Sequence, residues 1–381
     1  MRRGTLLLAA VLVCRCSASP PAPASAPSRP SGRAPFDAAP GTNHSIAITI
    51  DSQEALDILA SLSRPRFQMS DVKILEDQPA IHLSIEDSGR PAEVYERDFA
   101  AAFDEQARAA VFDFRSIRQA RERWQALAGA VASRRDEIAR LASRRAASLL
   151  PADRAITANL RVYLIFGLAG LSDHLIVRRA EEEVMIIDIL RALGDSEGEP
   201  LDSQVSRLAR LIAGAAFREA WDVYRSESAA WKGADASLGQ LEPLLKAVAA
   251  AGPASLYAID ENFFPLFVWL KDPMRRAVDD FNRRAERLAE SRENLERRLE
   301  LMTEMRRPEF VRRVAGPDGA FLTDAVFQSG GIEELRACLA RGPRAFFEAY
   351  DRAAQTNKDL IALAKPIRDQ LHAASPGARP N

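Results

Sequence analysis

Residues 160–225 read LRVYLIFGLAGLSDHLIVRRAEEEVMIIDILRALGDSEGEPLDSQVSRLARLIAGAAFREAWDVYR, and their pattern decides the fold class. The first part is rich in β-branched and aromatic residues. LRVYLIFG, a turn at AGLSD, then HLIV and EVMIIDI predict a run of strands. From Asp202 to Arg225 the apolar residues recur at helical spacing and predict a long amphipathic helix. A small sheet thus leads into a helix, in the middle of a chain that reads as helical on both sides.

Working outward, SIAITI at residues 45–50 alternates, with Ile46, Ile48 and Ile50 on one face of a further strand. Asp51 and Glu54 have the spacing of a capping box at the start of the helix EALDILASLS. Residues 99–150 contain no proline. Their apolar positions (Val111, Phe112, Ile117, Trp124, Leu127, Ile138, Leu141) predict two or more amphipathic helices. Downstream, helices dominate to Leu371, with breaks expected at Pro265, Pro273, Pro308 and Pro343. There is no internal repeat. The expected class is α+β, mainly helical.

Composition fits a globular chain with a real core: 381 residues, 47% hydrophobic and 28% charged. A formal charge of −1 lacks the basic excess that nucleic-acid binding calls for. Only six of the 52 basic residues are Lys, a bias to which no role is assigned.

At the N-terminus Arg2 and Arg3 precede a short apolar run at residues 6–13, followed by Cys16-Ser17-Ala18. These are the parts of a secretory signal peptide cut after Ala18, and the run is too short to span a bilayer. The chain is therefore expected outside the cytoplasm, periplasmic or extracellular. The alternative is a lipoprotein anchored through Cys14, against which stands Val13, where a lipidation signal takes a small residue. Cleavage at Ala18 leaves Cys338 as the single cysteine, so no internal disulfide can form. Residues 19–42, rich in Pro, Ala and Ser, read as a disordered tether. Residues 43–373 read as the folded domain, and 374–381 as a second disordered tail.

The most informative segment is RLARLIAGAAFREAWDVYR, residues 207–225. It resembles the active-site helix of a family of bacterial zinc-dependent peptidases of the gluzincin type, in which the helix reads like L-I-A-H-E-x-x-H. In that pattern two His at i and i+4 hold zinc and the intervening Glu activates the metal-bound water. Here Leu211-Ile212-Ala213 and Glu219-Ala220-Trp221 match. Between them, Gly214 stands at the first ligand position, Ala215 at the general-base position and Arg218 at the second ligand position. The family's third ligand is a Glu in a motif like E-G-x-A. The matching segment is Ala251-Gly252-Pro253-Ala254, with Ala251 at the Glu position. Gly330-Gly331, IEELRACLARGP, Phe346-Phe347 and Tyr350 resemble the closing helices of the same family, so the resemblance runs from about residue 45 to 373.

The resemblance implies a zincin-like scaffold with a degenerate site: zinc in active relatives, no cofactor expected here. It also implies a pseudoenzyme that binds a peptide or protein segment. Candidate contacts are Arg218, Tyr224, Phe263 and Phe264. A guanidinium where a metal sat in relatives suits a carboxylate or a chain terminus. On residue types alone, 207–225 is equally an ordinary Ala-rich amphipathic helix, with Gly214 costing about 1 kcal/mol against Ala.

Two other classes compete. An active metal-dependent hydrolase would need ligands not yet placed, beginning with His174 and His82. A purely structural or interaction protein would use the charged stretch at 281–307, where Leu288, Leu295, Leu299 and Met302 form a narrow apolar stripe. Asp173-His174 is the only adjacent carboxylate–imidazole pair, and sequence neighbours are expected to point apart. Glu181-Glu182-Glu183 reads as a solvated run, Cys338 as core, and NFFPLFVWL at 262–270 as core or as the lining of a cleft. No phosphate loop, dinucleotide fingerprint or G-x-S-x-G elbow occurs.

Overall fold

The computed structural model describes residues 44–104, 111–169, 172–179, 182–194, 198–233, 235–256, 271–291, 294–305, 307 and 310–373. The leader, Cys14, the tether, the tail, Glu181, Phe263, Phe264 and the rest of NFFPLFVWL lie outside them.

Among the described residues, four strands form one sheet: β1 (Ser45–Asp51), β2 (Thr157–Ile165), β3 (His174–Arg179) and β4 (Glu182–Asp188). Their order is β1-β2-β4-β3. β1 and β2 are parallel with Ile48 opposite Leu160, and β2 and β4 are parallel with Val162 opposite Met185. β3 returns antiparallel on β4 with Ile176 opposite Met185, so β3 is an edge strand. All four strands follow the expected pattern. Along β2, Ala158, Leu160 and Val162 are buried between exposed neighbours. Tyr163, Leu164 and Ile165 are then all buried, which marks the end of the strand as covered on both faces.

Among the described residues, seven helices connect β1 to β2: α1 (Gln53–Leu62), α2 (Met69–Glu76), α3 (Pro79–Asp87), α4 (Ala92–Ala101), α5 (Phe114–Gln119), α6 (Arg121–Ser133) and α7 (Arg135–Ser148). The capping box does not form. Ser52 is the N-cap residue, Asp51 accepts from the Gln53 amide at 2.8 Å, and the buried Glu54 turns away. Its carboxylate accepts from the amides of Ala80 and Ile81, each at 3.1 Å, and so caps α3 instead. Helix-start amides lack intrahelical acceptors and favour an anion, wherever in the sequence it comes from.

After β4 come α8 (Ile189–Leu193), the 27-residue α9 (Leu201–Glu227), α10 (Ala229–Lys232), a 3-10 segment (Ala236–Leu241) and α11 (Glu242–Leu256). α9 packs on β2 and, with α7, forms a helix pair against the sheet. The chain continues through α12 (Lys271–Glu290), α13 (Leu295–Met305), a π-turn (Val311–Ala315), α14 (Gly316–Arg341), α15 (Pro343–Thr356) and α16 (Lys365–His372). Pro343 opens a helix as expected. Pro273 falls at the third residue of α12, where its missing N–H would have had no partner. Pro253 lies inside α11.

α11 and α14 cross at backbone contact. A Cβ on Gly252 would run into the Gly319 carbonyl, and one on Gly319 would sit 2.6 Å from the Gly252 Cα. α14 breaks at Gly331, whose φ of 73° lies in the left-handed region that suits glycine. Among the described residues no helix is long and apolar enough to cross a membrane.

Candidate functional site

α9 is built around an aromatic and alanine face. Leu208, Ile212, Ala213, Ala216, Phe217, Ala220, Trp221 and Tyr224 are buried. Gly214, Arg218 and Trp221 stand at i, i+4 and i+7 and so share a helix stripe. Gly214 is half-buried, Arg218 is exposed, and Trp221 is buried with its indole N–H donating 2.8 Å to the Ala250 carbonyl of α11. That bond joins the stripe to the turn of α11 that carries the half-buried Ala251. Ala215 is buried and turned inward.

The four positions do not fit a zinc ion. Gly214, Ala215 and Ala251 carry no donor side chain, and Arg218 is a cation. Among the described residues no group of three or more His, Cys, Asp or Glu could hold a metal. Gly252 has a packing reason of its own in the helix crossing above. Tyr224 is fully buried, stacked on Trp221 with ring centroids 5.3 Å apart, and its hydroxyl reaches Asp153 at 3.0 Å. It is a core residue, not a surface contact. Phe263 and Phe264 fall outside the described residues.

The acidic run is not simply solvated. Glu183 is on β4, only 5% exposed, and meets Glu219 of α9, 8% exposed. Burial raises the Glu183 pKa, its contact with Glu219 raises it further, and the nearby Arg218 guanidinium pulls the other way. Glu183 Oε1 and Glu219 Oε2 have no hydrogen-bond partner. The missed signal lay in the strand period: Glu183 alternates in step with Met185 and Ile187, both wholly buried.

Beside this pair a cleft of about 480 Å³ opens between β3 and the end of α9. Arg178 of β3, Asp222, Arg225 and Ser226 of α9, and Trp231 and Lys232 of α10 line it. Arg218, Asp222 and Arg225 are again spaced i, i+4, i+7, so the exposed Arg218 lies one turn before the cleft wall. Arg225 pairs with Asp222 through Nη2 and lies over the Trp221 ring at 6.0 Å, while its Nε has no acceptor. Trp231 is fixed by an indole bond of 2.8 Å to the Leu339 carbonyl.

The remaining candidates scatter. Asp173 and His174 do pair, Nδ1 to Oδ1 at 2.7 Å, because the bend before β3 lets the two side chains fold onto each other. The pair lowers the Asp173 pKa. His82 is on α3, His174 on β3 and His372 beside Asp351 at 3.4 Å. Cys338 is wholly buried with Sγ 3.1 Å from the Leu335 carbonyl, and burial pushes its thiol up to about 12. The charged stretch is two helices, not one stripe. Leu288 of α12 is buried whereas Leu299 of α13 is 55% exposed, and Arg284 bridges them by bonding Glu304 at 2.7 Å.

No protein-family model, curated protein or solved structure matches the chain.

Proposed function

We propose that this chain is a non-catalytic binding protein. Its scaffold is that of a zinc peptidase from which the ligands and the general base have been lost, and it holds a peptide or protein segment outside the cytoplasm. The observation that carries this reading is the cleft between β3 and the end of α9, next to an exposed Arg218 on a helix stripe without metal-ligand side chains. The cleft's volume falls in the roughly 300–1,000 Å³ range of ligand pockets. Its flanking strand β3 has a free outer edge among the described residues. An edge of that kind offers backbone donors and acceptors to an extended segment.

The test is a peptide-array screen followed by fluorescence anisotropy on the best binders. Arg218→Ala should weaken them at least tenfold while leaving the fold intact, since the side chain is exposed. Unchanged affinity would sink the assignment of Arg218. Elemental analysis of the desalted protein supplies the second arm: one zinc per chain would overturn the non-catalytic reading and favour a hydrolase.

A further inference from the structure

We infer that the far end of this cleft is an anion subsite, formed by Arg178, Arg225 and Lys232, that takes a carboxylate of an acidic peptide segment. The inference rests on the peptide-binding reading above and names the class of segment bound.

Three cations from three elements, β3, α9 and α10, line one cleft, and the carboxylate lining it with them is Asp222. Asp222 is engaged by Arg225. Arg178 and Lys232 are exposed and have no ion-pair partner among the described residues. Like charges gathered around a concave surface repel each other, and an entering anion relieves that repulsion. Arg225 adds a more specific signal. Its guanidinium is held in place by Asp222 on one side and the Trp221 ring on the other, while part of the side chain stays exposed in the cleft wall. A guanidinium fixed in this way is preorganised for an anion, and a carboxylate is the partner that its planar fork suits best.

Asp222 also decides between anions. A phosphate group brings close to two negative charges, which this carboxylate in the wall repels, whereas a single carboxylate brings one. The apolar part of the wall comes from Val223 and the anchored Trp231, which suits the aliphatic stem of a Glu side chain.

The experiment uses the full chain and fluorescein-labelled hexa-glutamate, with hexa-glutamine as the neutral control. Hexa-glutamate should bind at least tenfold more tightly than hexa-glutamine. The double variant Arg178→Ala, Lys232→Ala should erase that difference, and both side chains are exposed enough for the variant to fold, as circular dichroism would verify. Equal binding of the two peptides, or a double variant that keeps the preference, overturns the subsite. If neutral peptides bind and respond to Arg218→Ala while the double variant changes nothing, the subsite falls and the peptide-binding reading stands. If neither charged nor neutral peptides bind, both fall. Displacement of hexa-glutamate by inorganic phosphate at matched ionic strength, at concentrations where acetate does nothing, overturns the choice of carboxylate.

Discussion

Replacing Glu183 by Gln keeps the size of the side chain and removes a charge that burial and Glu219 both disfavour. The folded-state pKa is raised above the ordinary 4.5, so the native chain keeps a proton that the unfolded chain has lost. The resulting destabilisation is absent below the unfolded value and grows as pH rises through the folded one. Glu183→Gln is therefore expected to be more stable than the parent at pH 8, by on the order of 1–3 kcal/mol, and to show no gain at pH 4. Urea denaturation at the two pH values reads this directly, and a parent equal to or more stable than the variant at pH 8 contradicts it. The residue was misread as part of a solvated run: its strand period with Met185 and Ile187 was there to be seen, but nothing in the sequence placed Glu219 across from it. Arg218 shows the converse. Its position on the helix was legible, while the cleft one turn further on depends on β3 and α10.

At the scale of elements, the contact between α11 and α14 rests on two glycines. Gly252→Ala would drive a methyl group into the Gly319 backbone, which cannot move aside as a flexible side chain could. A loss of about 2–4 kcal/mol is expected, since overpacking at a helix crossing forces the helices apart. Gly129→Ala in α6 is the control. A Cβ there meets nothing within 4 Å, so helix propensity alone acts and the variant should gain about 0.5–1 kcal/mol. Thermal denaturation of both variants checks the contrast, and equal effects would refute the close-approach argument. Glu54 makes a related point. Its spacing to Asp51 was a valid local signal, yet the α3 amides outcompeted the local ones because they sit beside a carboxylate already buried among apolar residues.

Across the whole molecule, buried carboxyls make stability depend on pH in one direction. Burial pushes Asp318 up to about 8 and Asp324 up to about 7, against ordinary values of 3.8, and each has an oxygen without a partner. Stability should fall steadily between pH 5 and pH 8 as these groups ionise, with Asp324 alone accounting for on the order of 3 kcal/mol. Asp324→Asn should flatten that slope in urea titrations, and a slope unchanged by the variant would exclude the residue as its source. What the sequence determined by itself was the set of local patterns: alternation for β1, β-branched and aromatic runs for the other three strands, helical spacing for α9, and the absence of metal-ligand side chains at Gly214, Ala215, Arg218 and Ala251. These are properties of neighbours along the chain, which is why they could be read there. Only the tertiary structure decided the strand order with β3 at the edge, the meeting of Glu183 with Glu219, the capping of α3 by Glu54, and the gathering of Arg178, Arg225 and Lys232 around one cleft. Each joins residues that are 26 or more positions apart or on different elements. Burial and charge act through space, and the local pattern does not record which distant side chain will share the site.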